Sequence, residues 1–146
     1  SRRNSTVYDQ AGRSVAAISP LNQRSTTVYN AASQSVATVD PLGRRTSSVF
    51  DAAGRTVASV NPLNQRSTTV YNTANQTVAS VDPTNRRTST IYDAAGRSLA
   101  SVNPLNQRTT TVYDAAGESV ANIDPLGRRN STVYDLAAEV SPESTH

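Results

Sequence analysis

The residues able to do chemistry in this 146-residue chain are few. The only histidine is His146, and cysteine is absent, so no histidine-based triad, internal histidine metal site or thiol chemistry can be assembled. Carboxylates recur in one setting, Asp51-Ala52-Ala53-Gly54, repeated at Asp93-Ala94-Ala95-Gly96 and Asp114-Ala115-Ala116-Gly117. Aspartate there can bond its own downstream backbone and glycine tolerates positive φ, so these residues read as turn caps. An EF-hand needs several oxygen ligands and a terminal acid within twelve positions, which this pattern lacks. The scattered glycines form no phosphate loop. The sequence therefore predicts no enzyme, no catalytic residue, no cofactor and no metal site.

Two other kinds of chemistry are open to it. Asn4-Ser5-Thr6, Asn75-Gln76-Thr77 and Asn130-Ser131-Thr132 match the N-glycosylation acceptor, making Asn4, Asn75 and Asn130 candidate glycan sites. Hydroxyl triplets such as Ser67-Thr68-Thr69 and Thr109-Thr110-Thr111 offer O-linked sites, although threonine also simply suits exposed strand positions. Arg24, Arg45, Arg66, Arg87, Arg108 and Arg129 recur at one spacing and continue a column begun by Arg3. Stacked cations of this kind need water, carboxylates or bound anions nearby, which makes the column a candidate anion-binding strip.

The elements that must position these residues follow from one fact. An aromatic recurs at every twenty-first position: Tyr8, Tyr29, Phe50, Tyr71, Tyr92, Tyr113 and Tyr134. A fixed period of this size marks a repeat architecture, in which each unit is too small to bury its own apolar face and stacks on its neighbours. The aromatic column is expected to be a packing ladder, since stacked rings supply buried area to thin repeats. Two turns bracket two short strand candidates in each unit. One is the Asp-Ala-Ala-Gly turn; the other is Asp40-Pro41-Leu42-Gly43, matched by Asp124-Pro125-Leu126-Gly127. Between them lie segments such as Arg66-Ser67-Thr68-Thr69-Val70-Tyr71 and Thr77-Val78-Ala79-Ser80-Val81, rich in the residues that strands favour. The spacing of Val78 and Val81 breaks strict alternation and predicts a bulge or bend in the second strand. Columns of valine and isoleucine (Val70 and its equivalents, Val78, Val81) and the leucines after the prolines are the expected core.

The fold class is all-β, built either as side-by-side hairpins or as a β-solenoid-like stack of parallel coils. Tight-turn chemistry at both connections favours the hairpin. Strands about 4.8 Å apart then set successive repeats about 9.6 Å apart, where a coil requires about 4.8 Å. A second period overlies the first. Arg2, Gln23, Arg44, Gln65, Arg86, Gln107 and Arg128 alternate between charged and neutral, as do Ser19, Asp40, Asn61, Asp82, Asn103 and Asp124. The true unit thus reads as a pair of repeats, either because alternating charge with amide doubles the spacing between like charges or because a two-repeat block was recently duplicated. Residues 1–135 hold seven repeats; residues 136–146 diverge and read as a C-terminal segment or cap.

Composition agrees with a thin core: 36% of the residues are apolar, and serine and threonine together make up 37. The net charge of +3 comes with no lysine and no basic block, and the arginines interleave with aspartate, so no nucleic-acid partner is predicted. No apolar run long enough to enter a membrane occurs in the sequence.

Tyr8–Arg13, Tyr92–Arg97 and the variant Phe50–Arg55, together with Asp40–Arg44 and Asp124–Arg128, resemble YD repeats. That is the Rhs/YD-repeat family, which includes toxin shells, the cocoons of insecticidal toxin complexes and teneurins. The resemblance implies hairpins joined into a long β-strip, which in large members closes around a toxin. Family shells also carry a self-cleaving aspartate pair in a modified Asp-Pro-x-Gly motif. Asp40 and Asp124 stand in ordinary repeat turns, so that activity is not carried over. The expectation is a non-catalytic extracellular structural protein that associates head to tail into a strip or filament, bearing bound or covalent glycans. The alternatives are a fragment of a toxin-encapsulating shell and a surface module that binds carbohydrate or another polyanion.

Overall fold

The structure is a computed structural model that describes residues 3–132. Those residues form thirteen strands and no helix. In the first compact unit, Ser1–Thr88, the strands are β1 (Ser5–Tyr8), β2 (Ser14–Ile18), β3 (Arg24–Tyr29), β4 (Ser35–Val39), β5 (Arg45–Phe50), β6 (Thr56–Val60), β7 (Arg66–Tyr71) and β8 (Thr77–Val81). From β1 to β8 each strand pairs antiparallel with its neighbour within this unit. The second unit, Ser89–His146, holds most of β9 (Arg87–Tyr92), then β10 (Ser98–Val102), β11 (Arg108–Tyr113), β12 (Ser119–Ile123) and β13 (Arg129–Ser131). Here too every neighbour is antiparallel. Two strands in each repeat with tight returns is the hairpin arrangement; the parallel coil is ruled out. The divergent segment 136–146 and Tyr134 lie outside the described residues.

Both connections use one loop geometry. In the first kind, Gly54 N donates to Asp51 O (3.0 Å) and Asp51 N donates to Arg55 O (3.0 Å). In the second, Gly43 N donates to Asp40 O (2.9 Å) and Asp40 N to Arg44 O (3.0 Å). This is a three-residue hairpin loop whose last residue must take positive φ. Gly54 takes it at 80°, and asparagine fills the same role at Asn64 (62°) and Asn106 (62°). Asparagine tolerates this region better than other side chains do, which explains the Gly/Asn exchange in the sequence.

The bulge expected in the second strand is present. Tyr71 faces Thr77 and Val70 faces Ala79, so Val78 is the extra residue, and every hairpin shows the same slip. Residues opposite each other share a face. One face thus carries Val7, Ala16, Ile18, Arg24, Thr26, Val28 and Ala37, and the other Thr6, Tyr8, Ala17, Ser25, Thr27 and Tyr29.

The core differs from the expected one. The buried residues among those described are Ala16, Ala37, Ala58, Ala79, Ala100 and Ala121, each 2–3% exposed. Most of the Val70 column remains at the surface, with Val28 at 42% and Val112 half-buried, and the leucines after the prolines are exposed, as at Leu63 (77%). The reason is geometric. Ala58 lies between Val49 on one neighbouring strand and Thr68 on the other, and both larger side chains cover it. Leucines in protruding turns have no second layer to pack on.

Candidate functional site

The two rows of turns hold most of the ionic chemistry among the described residues. In most of these turns the first and fifth residues act as a pair. Asp51 Oδ1 accepts from Ala53 N (3.0 Å) and Arg55 N (2.9 Å), while Oδ2 accepts from Arg55 Nε at 2.7 Å. Asn61 reproduces this with neutral groups: Oδ1 accepts from Leu63 N and Gln65 N (both 3.0 Å), and Nδ2 donates to Gln65 Oε1 at 2.7 Å. An aspartate offers a second acceptor and so takes a donor, arginine; an asparagine offers a donor and so takes an acceptor, glutamine. The rule holds for Asp9–Arg13, Asp40–Arg44, Asp82–Arg86, Asp93–Arg97 and Asp124–Arg128, and for Asn30–Gln34, Asn72–Gln76 and Asn103–Gln107. The alternation visible in the sequence is therefore one of complementary pairs, and the i, i+4 coupling that reveals it can be read from the chain. Two turns depart from it. At one, Ser19 Oγ accepts from Leu21 N and Gln23 N (both 3.2 Å) and offers no second group to Gln23. At the other, Asp114 keeps only the backbone bond from Glu118 N (2.8 Å), because two carboxylates replace the donor–acceptor pair.

The paired aspartates are poised to stay ionised. Hydrogen bonds from the Arg55 side chain and then its backbone N–H hold the Asp51 carboxyl below the ordinary value of 3.8. Arg13 and Arg97 do the same for Asp9 and Asp93, with the backbone N–H as the larger cause. At Asp82 the Thr84 hydroxyl, 2.7 Å from Oδ1, is the main cause, followed by the Arg86 backbone. None of these aspartates has the raised pKa that a general acid needs.

Three arginines reach beyond their own turn. Arg13 lies over the Tyr29 ring (4.8 Å), and its Nη1 donates to Asn30 O (3.2 Å) and Ser33 Oγ (3.0 Å) of the next hairpin. In return, Tyr29 OH donates to Ser14 O (3.2 Å). Arg55 clasps Tyr71, Asn72 O and Asn75 Oδ1 in the same way, and Arg97 lies over Tyr113 at 4.4 Å. The clasp recurs at every second repeat. Between clasps the link is weaker: Gln34 Nε2 reaches Gly54 O at 3.4 Å.

Tyr29, Tyr71 and Tyr113 are thus half-buried platforms beneath guanidinium groups, Phe50 and Tyr92 are half-buried, and Tyr8, on the first strand, is 63% exposed. Asn4 and Asn130 are exposed, and Asn75 stands in a turn with its Oδ1 engaged by Arg55. Arg24, Arg45, Arg66, Arg87, Arg108 and Arg129 are exposed at the first position of the odd strands. Arg45 and Arg129 turn Nε toward Ser47 and Ser131 (both 3.1 Å). Two open grooves of about 350 and 300 Å³ are lined largely by Ser, Thr and turn residues. Neither encloses a group of titratable side chains.

No protein-family profile and no curated protein matches the chain. Solved structures do. The Photorhabdus luminescens Tc holotoxin pore superposes with a TM-score of 0.63 at 19% identity, over 90% of this chain and 8% of that one. The crystal structure of TcdB2-TccC3 without its hypervariable C-terminal region gives 0.59 at 16%, over 88% and 9%. TcdB2-TccC3-Cdc42 gives 0.58 at 15%, over 91% and 9%. The fold is that of a YD-repeat strip. The resemblance seen in the Tyr-Asp-x-x-Gly-Arg motifs holds at the level of the fold, and the chain spans less than a tenth of the toxin chains it matches.

Proposed function

We propose that the chain is a non-catalytic structural strip, acting outside the cell as a length of filament. The observation that carries this reading is the clasp. Arg13, Arg55 and Arg97 are committed to joining one hairpin to the next rather than presented to a ligand. Exposed Asn4 and Asn130 in glycan-acceptor sequences support an extracellular setting. The test is modularity. Inserting a second copy of residues 51–92, two full repeats, keeps every Arg–Tyr clasp in phase. It is expected to give a longer folded particle with a raised melting temperature, as repeat stacks do. A single-repeat insertion puts like pairs next to each other and is expected to stabilise less. A two-repeat insertion that abolishes folding overturns the structural reading. Filaments in negative-stain micrographs of the purified chain support the filament.

A second reading, a piece of wall from a toxin-enclosing shell, is favoured by the likeness to the Tc toxin structures. A reading frame that continues into many more repeats and a C-terminal effector decides for it.

A further inference from the structure

The two faces of the first unit differ in chemistry. Each repeat there sets a valine from its odd strand beside an alanine and a valine or isoleucine from its even strand, as Val49, Ala58 and Val60 are set. The other positions of that face are an arginine and a hydroxyl, such as Arg45 and Ser47. The opposite face of the same repeat carries Thr46, Ser48, Phe50 and Ser59. An antiparallel sheet that is apolar on one side and polar on the other has the pattern of a sheet packed on the first and solvated on the second. Among the described residues of this unit no second layer lies over the apolar side. Val7, Val28, Val49 and Val70 are each 40–42% exposed. A row of contiguous exposed valines marks an interaction surface where single ones would not.

We propose that a second copy of this chain covers that face, with the two valine faces packed as a sheet-on-sheet sandwich. The pairing joins strips face to face and does not depend on the filament reading. Its size is adequate. Eight strands about 4.8 Å apart and about 17 Å long give the face a footprint of about 650 Å². The accessible area of a pleated surface exceeds its footprint, so each copy brings close to the ~800 Å² that a partner buries in a stable interface. The chemistry fits an identical face. β1–β8 contain no aspartate or glutamate, so the face asks of its partner only apolar area and the pleat spacing that a second sheet supplies. Valine, isoleucine and alanine are short or stiff at χ1, and ordering them costs little. The valine columns thereby gain the burial that a single layer denies them.

Charge sets the orientation. Arg24, Arg45 and Arg66 each open an odd strand and form a row along the proline-turn edge of the face. The ion pairs of this unit use Arg13, Arg44, Arg55 and Arg86 and leave that row out. A two-fold axis along the strands sets the two rows opposite each other across a gap of about 10 Å, like charge against like. A two-fold axis across the strands sets each row against the partner's Asp-Ala-Ala-Gly turns. The rows then lie on opposite edges, about 17 Å apart along the strands and beyond the Debye length of ~8–10 Å. The second arrangement is the one that charge permits. Arg45 stands opposite Val39, where its methylenes extend the apolar surface and its guanidinium stays at the rim.

The test is a matched pair of substitutions in the full chain, one on each face, with sedimentation over a wide concentration range as readout. Val49→Lys brings an ammonium group into the joint from both copies, and Ser59→Lys adds the same charge to an exposed position on the opposite face. Wild type is expected to form a dimer. Val49→Lys is expected to weaken it about a hundredfold or more with its β spectrum intact, and Ser59→Lys by less than about threefold. Val49→Thr keeps shape and strand preference and is expected to weaken the dimer about tenfold, which preserves the readout if the lysine variant misfolds. Nitroxide labels on Arg45→Cys, in a chain without native cysteine, are expected to lie about 20 Å or more apart in the dimer. A separation near 10 Å, that of facing rows, overturns the orientation. Equal association of Val49→Lys and Ser59→Lys overturns the pairing, and if those assemblies are filaments the filament reading stands. A discrete dimer with no longer species supports the pairing and counts against the filament. Wild type monomeric at every concentration overturns the pairing, and binding of that monomer to anionic lipid vesicles, lost in Val49→Thr, assigns the face to a membrane surface instead.

Discussion

Replacing Tyr71 by alanine tests whether the clasp carries stability, and the structure sets its size. A fully buried aromatic costs about 3–5 kcal/mol to truncate, and Tyr71 is half-buried, so its ring contributes about 2 kcal/mol. The Arg55 guanidinium 4.6 Å from the ring adds about 0.5–1 kcal/mol. The Tyr71 OH bond to Thr56 O, long at 3.3 Å, adds about 0.5–1 kcal/mol. The expected loss is about 3 kcal/mol, the rough total of these contributions. For a chain of this length that is a fall of roughly 6–12 °C in melting temperature. Phe50 provides the internal control. It lacks the hydroxyl, and the preceding turn offers Gln34 where Tyr71 has Arg55, so Phe50→Ala is expected to cost about 2 kcal/mol, the ring alone. Urea and thermal unfolding followed by far-ultraviolet circular dichroism measure both, and a double-mutant cycle on Arg55→Gln and Tyr71→Phe isolates their coupling. Equal losses for Tyr71→Ala and Phe50→Ala, together with no coupling in the cycle, would refute the argument that the clasp stabilises the strip.

Acid should weaken the strip. The paired aspartates have folded pKa values below 3.8, so the unfolded chain takes up protons first; stability is full above that value and falls as pH drops from about 4 toward the folded values. The double replacement Asp51→Asn with Arg55→Gln, which copies the neutral Asn61–Gln65 turn, should flatten this dependence in acid titrations of melting temperature, and an unchanged slope would count against the pairs as its source. Ala58→Leu inserts a larger branched side chain between Val49 and Thr68 and is expected to destabilise by about 1–3 kcal/mol, measurable by urea unfolding; a neutral result would mean the alanine column has room to spare. If the exposed arginine column takes up polyanions, heparin should bind with an affinity that falls steeply with salt, and Arg45→Ala with Arg66→Ala should weaken it while leaving melting unchanged.

Much of this protein is determined locally and is therefore legible in its sequence. The repeat period, the two turns and the β-rich segments between them each depend on contacts within one hairpin, where turn chemistry and strand propensity act over short stretches of chain. The bulge at Val78 showed in the broken alternation of Val78 and Val81 for the same reason. The alternation between successive repeats was visible as well, and its physical cause lay within a single turn, in the matching of Asp to Arg and Asn to Gln. The tertiary structure decided what no single hairpin contains. Valine and leucine columns look like a core, yet a single-layer sheet gives a large side chain nothing to pack against from above. Only alanine, overlapped by Val49 and Thr68 from the strands on either side, is small enough to disappear from solvent at Ala58. The placing of Arg55 over Tyr71 depended equally on a neighbouring hairpin, because a guanidinium finds the ring of the next repeat only once the strands between them have paired.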